Sequence, residues 1–192
     1  ILKNDILISV IMNCYNSSEF LREAIESVLA QTYQNWEIVF WDNQSTDKSA
    51  EIAKRYQEPR IHYYYAPNHT ALAEARNLAV ERAKGDWVAF LDCDDLWLPE
   101  KLAKQVSIIL EEKGRELGLV YGRAAILNSE GGENTLLASA YQKNNPFEPE
   151  IFAGYSGLML PEGNIFEELF FNDFIPLVAG VVRKDLYLEI GG

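Results

Sequence analysis

The sequence predicts an α/β fold: a doubly wound, mostly parallel sheet with helices on both faces. Three observations lead there. Short apolar runs alternate with segments of helical periodicity from residue 6 to about residue 112. The runs are apolar at consecutive positions, as strands buried on both faces must be. One of them, Trp87-Val88-Ala89-Phe90-Leu91, gives way at once to Asp92-Cys93-Asp94-Asp95, three carboxylates within four residues. Strands separated by helices this regularly imply right-handed βαβ connections, and open sheets of that kind bind ligands beyond the carboxyl ends of their strands.

Each element follows from local chemistry. Ile6 to Met12 is β-branched and apolar, a first buried strand. The polar loop Asn13-Cys14-Tyr15-Asn16-Ser17-Ser18 follows, with Ser18 placed to cap a helix in which Phe20, Leu21, Ala24, Ile25, Val28 and Leu29 share one face. That helix ends near Gln31-Thr32. Trp36 to Trp41 is the second strand, and Asp42 to Asp47 opens a helix reaching about Tyr56. Pro59 precedes a short aromatic strand, Ile61 to Tyr65. His69 or Thr70 starts a helix carrying Leu72, Ala75, Leu78, Ala79 and Arg82, which Gly85 closes as a left-handed cap. After the strand at Trp87 comes a helix with Pro99 in its first turn and Leu102, Val106, Ile109 and Leu110 facing a core before Gly114.

Beyond a strand at Leu119 to Leu127 the alternation lapses. Asn128 to Glu133 reads as a hairpin turn. Residues 142–163, with three prolines and three glycines, read as an irregular excursion. Ile165 to Phe170 reads as a short helix, Leu177 to Val182 as a strand and Lys184 to Ile190 as a final helix.

Composition narrows the function. At 192 residues, with 48% hydrophobic and 12% aromatic residues, the chain can bury one sizeable core. A net charge of -12 argues against a nucleic-acid partner, whose phosphates are held by clustered Lys and Arg. An acidic ligand must then be met through a local cation. The two cysteines, Cys14 and Cys93, are too few for a disulfide scaffold and suit a reducing compartment. Both fall at strand ends, near one another, and read as two free thiols that fit their surroundings. With no signal peptide and no apolar stretch of membrane-spanning length, the chain is expected to be cytoplasmic, at most peripheral to the inner face of the cell membrane. Its end at Gly191-Gly192 reads as the edge of a longer chain.

Two strands deliver acids to one sheet edge: Trp41 hands over to Asp42, and Leu91 to Asp92-Cys93-Asp94-Asp95. Asp42 alone reads as a turn former or helix cap. The second cluster does not, because a cap needs one carboxylate and three repel one another unless a cation or proton relieves them. Oxygen ligands suit Mg²⁺ or Mn²⁺, which take one or two carboxylates and complete their shell with phosphate and water. The lack of a Cys/His cluster at ligand spacing argues against zinc, and the P-loop and dinucleotide readings lose their main support with their glycine motifs absent. His62 and His69 read as structural or surface residues. Tyr15 is either a loop aromatic or a face for a nucleobase. Arg76, on a helix of mostly Ala and Leu, is either an ion-paired face residue or a ligand contact.

Four stretches then combine: Ile8-Ser9-Val10-Ile11-Met12-Asn13-Cys14-Tyr15-Asn16, Glu37 to Asp47, Ala73-Glu74-Ala75-Arg76-Asn77, and Asp92-Cys93-Asp94-Asp95, a DXD motif. In order and spacing they resemble the family 2 glycosyltransferases. The likeness is strong over residues 6–112 and looser over 165–192. It implies the GT-A (nucleotide-diphospho-sugar transferase-like) fold. Residues 1–127 would be the nucleotide-sugar-binding half and 128–192 part of an acceptor-side half, in one continuous domain cut short at its C-terminus.

The resemblance also implies roles. Tyr15, in the loop with Asn13 and Cys14, packs on a pyrimidine; Asp42, Asn43 and Arg76 approach the base. Asp92, beside Cys93, meets the ribose, while Asp94, with Asp95 and Asp92, holds Mn²⁺ or Mg²⁺ on the diphosphate. Two departures stand out. The first loop usually begins Pro-Thr-Tyr-Asn but here begins Asn13-Cys14, and Asn43 replaces a frequent second acid.

The implied activity is inverting transfer from a UDP- or dTDP-linked sugar to a saccharide, lipid-linked or other hydroxyl acceptor in polysaccharide biosynthesis, with the catalytic base beyond Gly192. A non-catalytic nucleotide-sugar-binding module is the alternative. A sugar-phosphate nucleotidyltransferase fits less well, because the first loop lacks a glycine-rich phosphate motif.

Overall fold

The computed structural model describes residues 6–111, 117–122, 125–126, 135–136, 151–155 and 177–192. The chain alternates β1 (Ile8–Cys14), α1 (Leu21–Leu29), β2 (Trp36–Asp42), α2 (Ser49–Arg55), β3 (Ile61–Tyr65), α3 (Leu72–Val80), β4 (Trp87–Phe90) and α4 (Lys101–Glu111). There follow β5 (Leu117–Gly122), β6 (Ala125–Ile126), β7 (Thr135–Leu136), β8 (Ile151–Tyr155), β9 (Gly180–Arg183) and α5 (Lys184–Glu189).

Seven strands form one sheet in the order β3-β2-β1-β4-β9-β5-β8. The first four are parallel, as their helical crossovers require, and β9, β5 and β8 join antiparallel. The period-2 alternation of strands divides the core between the two faces. Val10, Met12, Ile38, Phe40, Ala89 and Leu91 pack with Leu21, Ile25 and Val28 of α1 and Leu102, Val106 and Ile109 of α4. Ile11, Val39, Trp41, Val88 and Phe90 pack instead with Ala75, Ala79 and Val80 of α3. From β1 the chain winds through α1 toward β2 and β3, then returns over the other face through α3 to β4. The carboxyl ends of β1 and β4 therefore flank the topological switch point, where a crevice opens.

Several local expectations are corrected. Ser18 does not cap α1: the helix starts at Leu21 with no side-chain cap, and the Ser18 N–H donates to Asp47 across the neighbouring loop. Neither His69 nor Thr70 caps α3, which begins at Leu72 after an uncapped Ala71, because Asn43 holds both residues in the preceding loop. Gly85 is not a left-handed cap, since the positive-φ glycines among the described residues are Gly191 and Gly192. A Cβ on Gly85 would lie 2.3 Å from the Leu7 carbonyl oxygen, so close approach requires the glycine.

The excursion over 142–163 contains a strand, β8, paired antiparallel with β5; its prolines and glycines flank or interrupt it without abolishing the ladder. The run read as one strand from Leu119 is split between β5 and β6, and β6 pairs antiparallel with β7, as a hairpin requires. Its turn, the helix expected at Ile165 to Phe170 and the end of α4 near Gly114 lie outside the described residues. A single 3₁₀ turn, Leu177–Ala179, precedes β9, which inserts between β4 and β5.

Candidate functional site

A cleft of ≈ 480 Å³ opens at the carboxyl edge of the parallel strands. Of the residues singled out in the sequence, Asn13, Cys14, Tyr15, Asn43, Asp92, Cys93 and Asp94 line it. Asp42, Arg76 and Asp95 do not, although Arg76 reaches the wall through Asp92.

The loop after β1 is stitched to the loop after β2. Asn16 takes φ 52°, a left-handed conformation that asparagine tolerates, and its Oδ1 accepts from Thr46 N at 2.7 Å and Asp47 N at 3.3 Å. Ser17 N donates to Ser49 Oγ at 3.0 Å. So anchored, the loop presents Tyr15 half-exposed over the cleft, where its ring meets that of His69 at 4.3 Å between centroids. His69 Nδ1 lies 2.8 Å from the Asn43 carbonyl oxygen, which only accepts, so Nδ1 carries the proton.

His69 thus belongs to the site, as do Ser17, Thr70, Leu72 and Ala75. A signal for His69 and Thr70 was present: β3 is parallel to β2, so the loop that leaves it must emerge at the ligand-binding edge.

Asp42 carries the hydrogen bonds of a turn former. It is fully buried, its Oδ1 accepts from Ser45 N at 2.7 Å, and its Oδ2 accepts from Tyr63 Oη at 2.5 Å. Burial and the adjoining carboxylate push the Tyr63 phenol up. Asn43 exchanges two hydrogen bonds with the Thr70 backbone, donating from Nδ2 at 2.8 Å and accepting at Oδ1 at 3.2 Å. Arg76 forms an ion pair: Nη2 donates to Asp92 Oδ1 at 2.7 Å, joining α3 to the end of β4.

Cys14 and Cys93 are both buried, and Cys93 Sγ donates to the Asn13 carbonyl at 3.2 Å. The neighbouring Cys93 thiol is the main cause holding Cys14 down at about 7, while the same partner and burial push Cys93 up.

Asp94 stands exposed on the cleft wall and Asp95 is partly buried behind it, pushed up by burial and by the charges of Asp94 and Asp92. Among the described residues no three His, Cys, Asp or Glu side chains converge into a ready cation cage. This donor set fits Mn²⁺ or Mg²⁺ held by one or two carboxylates and completed by phosphate oxygens, and not an all-protein site.

With that geometry in place, similarity to known proteins decides the family. Residues 9–155 match the family described as Glycosyl transferase family 2. The chain belongs to that family. It is 36% identical over 126 residues to the UDP-Glc:alpha-D-GlcNAc-diphosphoundecaprenol beta-1,3-glucosyltransferase WfgD of Escherichia coli, covering 66% of this chain and 49% of WfgD. It is 37% identical over 136 residues to an uncharacterized glycosyltransferase of Haemophilus influenzae, covering 70% of this chain and 53% of the relative. The chain spans about half the length of the curated relatives it matches.

Among solved structures, TarS 1-349 of Staphylococcus aureus in complex with UDP superposes with a TM-score of 0.69 at 21% identity, covering 95% of this chain and 48% of that one. That likeness establishes the GT-A type of fold. In this family-2 chain no helix among the described residues is long and apolar enough to cross a membrane.

Proposed function

We propose that the chain is the donor-binding part of a glycosyltransferase that moves a sugar from a uridine- or thymidine-diphosphate sugar to an acceptor hydroxyl, with inversion and with Mn²⁺ or Mg²⁺. One observation carries the reading: the exposed aromatic face of Tyr15 and the carboxylates of Asp92 and Asp94 line the same cleft at the switch point. WfgD, by its name, uses UDP-Glc and a lipid-linked acceptor. TarS, 25% identical with a TM-score of 0.52, was solved with UDP-GlcNAc. The same kinship supports a saccharide or lipid-linked acceptor and a place in polysaccharide assembly.

In this reading Tyr15 packs on the base, Arg76 turns from Asp92 toward the nucleotide, and Asp92 takes the ribose hydroxyls. Asp94, helped by Asp95, holds the cation. When bound, that cation supplies positive charge against the leaving diphosphate. The base that takes the acceptor proton belongs to the acceptor-side half.

Calorimetry with UDP and dTDP tests this. Binding is expected to need Mn²⁺ or Mg²⁺, and Asp94→Ala to weaken it at least about tenfold, or 1.4 kcal/mol. Metal-independent binding, no binding, or an unchanged affinity in the variant each overturns it.

A further inference from the structure

We propose that Asn77 is a positioning residue for the donor site: it clamps the turn at Gly191-Gly192 to α3 and so holds the neighbouring Arg76 in reach of Asp92 and of the nucleotide. The inference rests on the donor reading above, in which Arg76 turns toward the nucleotide, and adds to it a residue that touches no ligand. Helix α3 needs such a pin. Its buried residues are Ala75, Ala79 and Val80, short side chains that give little purchase on the sheet, and it starts without a side-chain cap.

Asn77 supplies the purchase. Its Oδ1 accepts from Tyr187 Oη at 2.8 Å, and its Nδ2 donates to the Gly191 carbonyl at 3.1 Å. The turn it grips is shaped for the contact. Gly191 and Gly192 take φ of 92° and 83°, their N–H groups return to the Leu188 and Tyr187 carbonyls, and a Cβ on Gly192 would overlap the Asn77 amide.

Tyr187 lays its ring against that of Phe90, the last residue of β4, with centroids 5.2 Å apart. Asp92 follows two residues later. Burial pushes the Tyr187 phenol up and the Arg76 cation draws it back, so the guanidinium lies within electrostatic reach of the same ring. Asn77, Tyr187 and Phe90 thus join α3 through α5 to the end of β4, and the 2.7 Å pair of Arg76 with Asp92 closes the circuit on the cleft side. A guanidinium binds oxygens by direction as well as distance, so a small slip of α3 costs Arg76 its contact.

The test measures UDP affinity in Mn²⁺ by calorimetry for Asn77→Ala and for Tyr187→Phe, which keeps the ring and removes only its hydroxyl. Each is also combined with Arg76→Ala. Alone, Asn77→Ala is expected to weaken UDP about fivefold, Tyr187→Phe about threefold and Arg76→Ala about tenfold. Beside Arg76→Ala, neither is expected to weaken UDP further, because no guanidinium remains to be positioned. A merely structural clamp would cost affinity alike in both backgrounds.

Losses that persist undiminished beside Arg76→Ala, native affinity in both single variants, or native affinity in Arg76→Ala overturn the inference. Tyr187→Phe decides it should Asn77→Ala not fold. Failure of the native protein to bind UDP overturns the donor reading as well; UDP binding indifferent to Asn77 and Tyr187 overturns this inference alone.

Discussion

At the amino end of the sheet, Glu37 of β2 is buried beside Ser9 of β1 and His62 of β3. Its Oε1 accepts from Ser9 Oγ at 2.7 Å and Lys84 N at 2.6 Å, its Oε2 lies 3.2 Å from His62 Nε2, and Ser9 Oγ accepts in turn from Gly85 N at 2.9 Å. At the carboxyl end Asp94 stands exposed on a cleft wall beside Asp92, with Asp95 pushed up by burial and by both neighbours. The same functional group does opposite work at the two ends. Where both carboxylate oxygens meet buried partners, the acid holds the fold together; where Asp94 and Asp95 crowd Asp92, which has the Arg76 guanidinium, the fold bears repulsion that a bound cation would relieve.

Exchanging the two losses tests that comparison most severely. Glu37→Ala leaves Ser9, Lys84 N and His62 without their acceptor in a buried site, and is expected to lower stability by about 3 kcal/mol in urea unfolding while the folded protein keeps its UDP affinity. Asp94→Ala is expected to do the reverse, changing stability by less than about 0.5 kcal/mol. Equal destabilisation by the two would break the distinction.

Asp42 asks whether position or satisfaction decides. It lies at the ligand edge, yet its hydrogen bonds are filled like those of Glu37. Tyr63→Phe, which removes one donor, is expected to cost about 1–2 kcal/mol of stability and to leave UDP affinity unchanged. A loss of affinity would make position the better guide.

Much of this was legible in the sequence. The strand–helix alternation implied the parallel half of the sheet, and strand ends that stop in Asn13, Asp42 and Asp92 implied which edge carries the site. Family motifs added roles to those positions. What stayed illegible depends on tertiary partners. Whether Ser18 caps its own helix or bonds Asp47 is decided by a loop 29 residues away. Gly85 resembles a helix stop, but the reason for it is the Leu7 carbonyl just before β1. Asp42 and Asp94 look alike in sequence, and only the donors around Asp42 separate them. Likewise nothing local marks His69, whose ring matters because Tyr15 comes to rest against it.

Asp47 supplies the mildest and sharpest case, an exposed acid that serves the fold at the functional end. Burial pushes its carboxyl up, but hydrogen bonds from Ser49 and Ser18 outweigh this and hold it at about 2, below its ordinary 3.8. A depressed carboxyl stabilises the fold above its unfolded value and loses that contribution as pH falls through the folded one. Asp47→Asn is therefore expected to melt lower than the native protein at pH 7, by less than about 1 kcal/mol given its exposure, with the gap closing between about pH 4 and pH 2. Melting curves across that range check it, and a gap independent of pH would remove the charge from the argument. Because Asp47 anchors the loop that carries Tyr15, the same variant is expected to weaken UDP slightly, and by less than Asp94→Ala. An acid with filled hydrogen bonds then reaches the ligand only through the backbone it positions.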